Sequence, residues 1–357
     1  MSDQSKFVAG VVLSTLLSFS VFAAEETPLK AADRAAILQT LAAKLDENYI
    51  DPAVAAKVAS AIAGKNAAGG YASAATTQAF SAALSKDLRQ FSGDLHFRAT
   101  VDEGFEKPRT AADETRNQPA RRGYGIGKVE RLAGNVGYME LTGFLWPAES
   151  VGPAYTSAMS LLAGTDALIL DLRRNGGGSP ASVAYLMSHF FPAGDKRHLN
   201  DIYDRPTDTT TQFWTLDTVT QRYDKPVYVL TSARTGSGAE ECAYDFQTQK
   251  RATLVGETTY GAANPVGPFS VGHDIVVMIP SGRAINPVTK TSWEHVGVKP
   301  DIAVPAAQAL QTAHAAILRN LVSSAKDDKD RTDLQRQLAM VEKGETEKPV
   351  YTPRQDR

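Results

Sequence analysis

The chain has 357 residues, 43% of them hydrophobic, enough to bury a substantial core in one large domain or two smaller ones. Its formal charge of −2 and pI near 6.3 offer no basic field, which argues against nucleic acid as the main partner. The single cysteine, Cys242, excludes an intrachain disulfide, and a chain of this length can rely on its core instead.

At the N-terminus Lys6 precedes an apolar stretch to Phe22, and Val21-Phe22-Ala23 has the small-residue shape of a cleavage site. Residues 1–23 therefore read as an export signal, with a bacterial periplasm as the expected destination. No stable membrane anchor is expected after removal. Residues 30–98 read as a helical subdomain: Ile37, Leu38, Leu41 and Leu45 form a stripe, and Ala53–Ala63 and Thr77–Phe91 continue in the same style. Residues 99–122 are polar and contain two prolines, as expected of an exposed loop.

From residue 123 the pattern changes. GYGIGKVERL, GNVGYMELTGF, DALILDL, PVYVLTS, ATLVGE and HDIVVMIP read as strands. Helices are expected at PAYTSAMSLLAG, after the Ser179-Pro180 cap pair, at Ala239–Lys250 and at Ala306–Leu321. Strands alternating with helices imply an α/β domain over residues 123–325, and residues 326–357 form a charged tail.

Three features carry candidate chemistry. The first is RTGSGAEECAYDF, residues 234–246. Ser237 and Glu240 have capping-box spacing, and Ala239, Cys242, Ala243 and Phe246 form a helical stripe. Taken alone, Ser237 is a helix cap. The same position would offer a nucleophile the free N–H groups and partial positive charge of a helix N-terminus. The G-x-S-x-G elbow is not met, because Thr235 and Ala239 occupy its glycine positions. The second feature is DLRRNGGGSP, where a strand runs into Gly176, Gly177 and Gly178. Without G-K-[ST] or G-x-G-x-x-G it is not a phosphate loop, and reads equally as an anion-accepting backbone or as a tight turn into a helix.

The third feature is the histidine set. His96 lies two residues after Asp94, His295 adjoins Glu294, and either could serve Ser237 as a base. His189 is expected to be half-buried on a helix surface, and His198, His273 and His314 lie in polar surroundings without an obvious partner. No H-E-x-x-H or C-x-x-C occurs, so neither a metal nor another cofactor is expected, and Cys242 belongs to the core.

DLHFRA, ILDLRRNGGGSP, LTSARTGSGAEECAYDFQTQKRATLVGETTYGAANP and SWEHVGVKPDI, in this order, resemble the C-terminal processing (tail-specific) serine peptidase family. The branch most similar is that of interphotoreceptor retinoid-binding protein modules and the tricorn core protease. The resemblance covers about residues 35–320. It implies a crotonase/ClpP-like ββα spiral core and hydrolysis of peptides or unfolded protein ends, with Ser237 as nucleophile. Ala262 stands where the tail-specific branch has its lysine base. The tricorn branch implies His96 and Glu294 instead, with Leu95 in place of a second serine and Asp94 available to help orient His96. The oxyanion would be held by Gly238 with Gly177 or Gly178. Too few residues lie between Arg98 and Gly123 for a PDZ module. The resemblance also admits a different class of function, a non-catalytic module binding a retinoid or fatty acid. The oligomeric state is not expressed in the sequence.

Overall fold

The computed structural model describes residues 27–107 and 118–345. The segment read as an export signal and the last twelve residues of the tail lie outside the described residues, as does the stretch 108–117 of the polar segment. No helix among the described residues is long and apolar enough to cross a membrane.

Three helices open the chain: α1 (Ala31–Asn48), α2 (Pro52–Ala67) and α3 (Thr77–Ser92). Their ends follow from local chemistry. Asp51 accepts hydrogen bonds from the N–H groups of Ala53 and Val54 with Pro52 at the first helical position. Thr76 caps α3 through the Ala79 N–H, and Gly93, in the left-handed conformation, ends it.

The expected loop at 99–122 begins instead in strand β1 (Arg98–Val101). After a short 3₁₀ segment at Pro119–Gly125 follow β2 (Ile126–Leu132), β3 (Val136–Leu141), α4 (Ala148–Leu162), β4 (Ala167–Asp171) and α5 (Pro180–Met187). Next come β5 (His198–Asp204), β6 (Thr209–Trp214), β7 (Val227–Thr231), α6 (Gly238–Thr248) and β8 (Thr253–Gly256). The chain continues through β9 (Val266–Ser270), β10 (Ile275–Pro280), β11 (Gly282–Ile285) and β12 (Ile302–Ala303) into α7 (Ala306–Ser324) and α8 (Asp328–Glu342).

The principal sheet has the order β12-β8-β7-β4-β3-β2 and is parallel from β3 to β12, with β2 added antiparallel at one edge. β4 and β7 are buried along their whole length, which explains why their sequences are continuous apolar runs. On one face Leu168, Leu170, Val229 and Leu254 pack with α4, α5 and α6; on the other Ile169, Leu230 and Val255 meet Ala309, Ala313 and Ile317 of α7. Each fully buried Leu or Ile of this kind contributes roughly 1.5–3 kcal/mol.

Two smaller antiparallel sheets complete the molecule, β1-β10-β9 and β11-β5-β6. Arg98–Val101 pairs with Met278–Ile275, so a strand that follows the N-terminal helices is closed by one from late in the chain. The helices have no core of their own: Ile37, Leu41, Phe80 and Leu88 pack in one cluster with Ile275, Val277 and Ile279.

Candidate active site

β4 and β7 are parallel neighbours, so the loops leaving their carboxyl ends lie side by side, where open α/β sheets place their ligand sites. The loops are bonded together. Ser232 Oγ donates to the Arg173 carbonyl at 2.7 Å, Thr235 Oγ1 to the Leu172 carbonyl at 2.9 Å, and the Gly236 N–H to the Asn175 carbonyl at 3.1 Å. Gly177 (φ +105°) runs directly against Ser237: a Cβ there would stand 2.7 Å from the Ser237 Cβ and from the Gly238 nitrogen. At Gly178 (φ +136°) a Cβ would stand 1.8 Å from the Phe144 carbonyl oxygen. Only glycine fits at either position.

Ser237 begins α6 with φ 52° and ψ −124°, a region that residues with a side chain rarely enter. The capping-box spacing leads to the expectation of extended backbone and a hydroxyl bonded back to the helix. The structure keeps the box, with the Ser237 side chain towards the Glu240 N–H, but the backbone at Ser237 is not extended and its half-buried hydroxyl closes no full capping hydrogen bond. Glu240 fulfils the other half of the box. Its buried carboxylate accepts the Ser237 N–H at 2.9 Å, the Thr259 hydroxyl at 2.5 Å, and the N–H groups of Gly261 and Ala262 at 2.6 and 3.0 Å. Burial pushes this carboxyl above its ordinary value, against the pull of those four donors.

Of the expected oxyanion donors, Gly177 is already engaged, its N–H donating to Asn175 Oδ1 at 2.9 Å. Among the described residues the N–H groups of Gly178 and Gly238 donate to nothing. Those two form the open pair beside the hydroxyl.

Asp94, His96 and Glu294 form a second cluster, their ligand-type atoms all within 4.8 Å of one another. His96 Nδ1 lies 3.5 Å from Asp94 Oδ1, and both ring nitrogens are buried without a hydrogen-bond partner. Asp94 is fixed by the His96 N–H at 3.0 Å and by Asn264 Nδ2 at 3.0 Å. Burial alone would raise its carboxyl, but the bonds from His96 and Asn264 outweigh it and hold Asp94 below its ordinary value. Glu294 Oε2 accepts the N–H groups of Ala263 and Asn264 at 2.5 and 3.0 Å, while its Oε1 is buried and unpartnered. Burial, followed by the charge of Asp94, pushes Glu294 above its ordinary value. Tyr49 borders this cluster, and burial and the same two carboxylates push its phenol up. One imidazole and two carboxylates are also donors that a metal ion accepts. Spacing joins Asp94 to His96 but could not add Glu294, which lies about 200 residues away in the chain.

The structure therefore brings His96, Asp94 and Glu294 together and gathers Ser237, Gly238 and Gly178 together, but no hydrogen bond joins the Ser237 hydroxyl to His96. Between the groups runs the strip 261–264. Its first two N–H groups belong to Glu240 of the serine half and its last two to Glu294 of the imidazole half. Ala262 is buried in that strip, and its carbonyl accepts the Trp293 indole N–H at 3.1 Å. Asn264 has no sequence signal, since its link to Asp94 joins residues 170 positions apart.

Of the other histidines only His295 borders this cluster. His295 is largely exposed, 3.7 Å from Glu294. His189 is fully buried rather than half-buried, bonded to Thr156 and to the Leu186 carbonyl, and burial lowers its pKa to about 4. His198 pairs with Asp201 at 2.6 Å, and His314 meets the Ala133 carbonyl at 2.8 Å. Cys242 is core, as expected.

The family model for peptidase family S41 matches residues 135–304, and a model described as the N-terminal domain of peptidase S41 in eukaryotic IRBP matches residues 29–123. The chloroplastic carboxyl-terminal-processing peptidase 2 of Arabidopsis thaliana is 31% identical over 178 residues. That match covers 48% of this chain and 32% of the relative, so the chain spans about a third of the relative's length. Among solved structures, a lipoprotein from Streptococcus agalactiae is similar with a TM-score of 0.53 and 13% identity over 80% of this chain and 96% of the other. The tricorn protease is similar with a TM-score of 0.50 and 13% identity over 87% of this chain and 37% of the other. At such identities the structural likenesses concern the fold alone. With the two matches falling on the N-terminal helices and on the sheet that carries Ser237, the chain belongs to peptidase family S41.

Proposed function

We propose that the chain is an exported serine-type peptidase that hydrolyses peptide bonds in peptides or flexible protein ends. The observation that carries this reading is Ser237 itself. A residue with a side chain is held at φ 52° on a helix N-terminus, its hydroxyl closing no full hydrogen bond to the helix, next to the unused N–H groups of Gly238 and Gly178. In this reading His96 takes the Ser237 proton as Oγ attacks the peptide carbonyl, returns it to the leaving amine, and then activates water for deacylation. Asp94 and Glu294 orient and stabilise the imidazolium. The Gly238 and Gly178 N–H groups, with the helix terminus, hold the oxyanion. Substrate would draw the serine and imidazole halves together across the strip 261–264, since catalytic hydrogen bonds tighten in the substrate complex.

The strand–helix units β3–α4, β4–α5 and β7–α6 support a crotonase-type ββα spiral as the architecture of this core. Export rests on the pattern of residues 1–23, and a mature protein whose N-terminus is still Met1 would remove that part of the reading. A module for retinoids or fatty acids would favour an apolar cavity; the one beside Ser237 is walled in part by Asn200 and Glu241.

A fluorophosphonate probe tests the proposal. Wild-type protein should be labelled, Ser237→Ala should not, and His96→Ala should react more slowly by orders of magnitude. Labelling that persists in Ser237→Ala overturns the nucleophile assignment.

A further inference from the structure

Glu241 and Asp245 follow Ser237 at four and eight positions on α6 and so share its helix face. Both are buried, as is Asn200 on β5, at 1–3% exposure. Glu241 Oε1, both carboxylate oxygens of Asp245 and both polar atoms of the Asn200 amide have no hydrogen-bond partner. Leaving such groups orphaned costs on the order of 1–3 kcal/mol each. Burial pushes Glu241 up to about 8, with Asn200 close enough to oppose the shift but closing no bond; burial and then Glu241 raise Asp245. Among the described residues no cation contributes to either shift.

Glu241 and Asn200 reach the wall of a cavity of about 160 Å³ that Ser237 and Gly238 also border. Ile202, Val266, Ala284 and Trp293 supply apolar wall. The cavity is a sleeve for a hydrocarbon stem, with unsatisfied acceptors in its lining and the candidate nucleophile at its rim.

We propose that this cavity receives the side chain of the residue whose carbonyl Ser237 attacks, and that Glu241 with Asn200 selects a long basic side chain, lysine or arginine. The proposal rests on the peptidase reading above. The stem lies against Ile202, Ala284 and Trp293, and the ammonium or guanidinium donates to Glu241 Oε1 and Asn200 Oδ1. A neutral stem of equal length leaves those acceptors orphaned, and sites built to bond a substrate group discriminate strongly against analogues lacking it.

The test compares fluorogenic peptides that differ only in carrying lysine, arginine or norleucine before the scissile bond. Wild-type kcat/KM should favour the basic residues by about tenfold or more, and Glu241→Gln should bring the ratio towards one. Asn200→Ala, read by the same ratio, replaces Glu241→Gln if that variant fails to fold. A wild-type ratio of one in protein labelled at Ser237 overturns the pocket and leaves the peptidase reading standing; so does a preference that survives Glu241→Gln. If there is neither labelling nor turnover, the peptidase reading fails, and butylguanidinium reads the pocket separately. A rise in Tm for wild type but not for Glu241→Gln supports the cation pocket, and equal behaviour of the two overturns it.

Discussion

Ser237 is held by backbone and by one carboxylate whose bonds are all made, whereas His96 sits among side chains whose bonds are left open. Glu240 satisfies four donors around the serine, and Gly177 abuts it so closely that no side chain fits. Around His96 two ring nitrogens and Glu294 Oε1 lack hydrogen-bond partners, and two segments about 200 residues apart supply the groups. A rigid half built from glycines and a helix end thus faces a half whose polar atoms await a partner. The first is preorganised, and the second keeps its hydrogen-bonding capacity for what arrives.

Substituting Gly177 attacks the rigid half most directly. Gly177→Ala would displace Ser237 and Gly238 from the oxyanion position. Turnover should fall about 10²–10³-fold, while circular dichroism remains that of the folded protein; full activity would show that the close approach has no catalytic consequence. Next in size is Glu240→Ala, which strands donors on Ser237, Thr259, Gly261 and Ala262. A loss of roughly 3 kcal/mol or more is expected in denaturant unfolding, with Glu294→Ala costing less because its carboxylate accepts only two N–H groups. Equal losses would erase the distinction between the halves.

The smallest effect is one of slope. Glu241, raised from 4.5 to about 8 in the fold, contributes stability that is complete below pH 4.5 and is lost as pH rises through 8. Asp94, lowered in the fold, contributes stability that is present above its ordinary value of 3.8 and is lost as pH falls through its folded value. Unfolding measured from pH 3 to 9 should show Glu241→Gln flattening the alkaline slope and Asp94→Asn the acid one. Exchange of the two effects would contradict the environments described.

Much of the serine half was legible in sequence because its parts are local. Ser237, Glu240 and the apolar stripe lie within ten residues, the glycine run is a local motif of its own, and the alternation of strand and helix places the two loops at the carboxyl ends of neighbouring strands. The capping signature between residues 237 and 240 is kept in the fold, but the positive φ of Ser237 is a tertiary outcome that it does not announce. The imidazole half was legible only in part. Asp94 and His96 are adjacent, but Asn264 and Glu294 reach them through folding, and no periodicity records such meetings. Burial of His189 was missed because its Thr156 partner lies on another helix. Glu241 and Asp245 carry an i, i+4 signal that reads equally as a solvated face until the sheet around β5 covers it.

The pairing of β1 with β10 has a consequence for the molecule's integrity. The polypeptide leaves the N-terminal helices and β1 at Val101 and enters β2 at Ile126, yet those helices share their core with Ile275, Val277 and Ile279. A single cut between these points would not release a free N-terminal fragment. The two pieces would remain interlocked, each supplying half of one hydrophobic interior, and could be expressed separately and reassembled as a split protein. The boundary between the two family models is thus a junction along the chain, not a seam in the folded body.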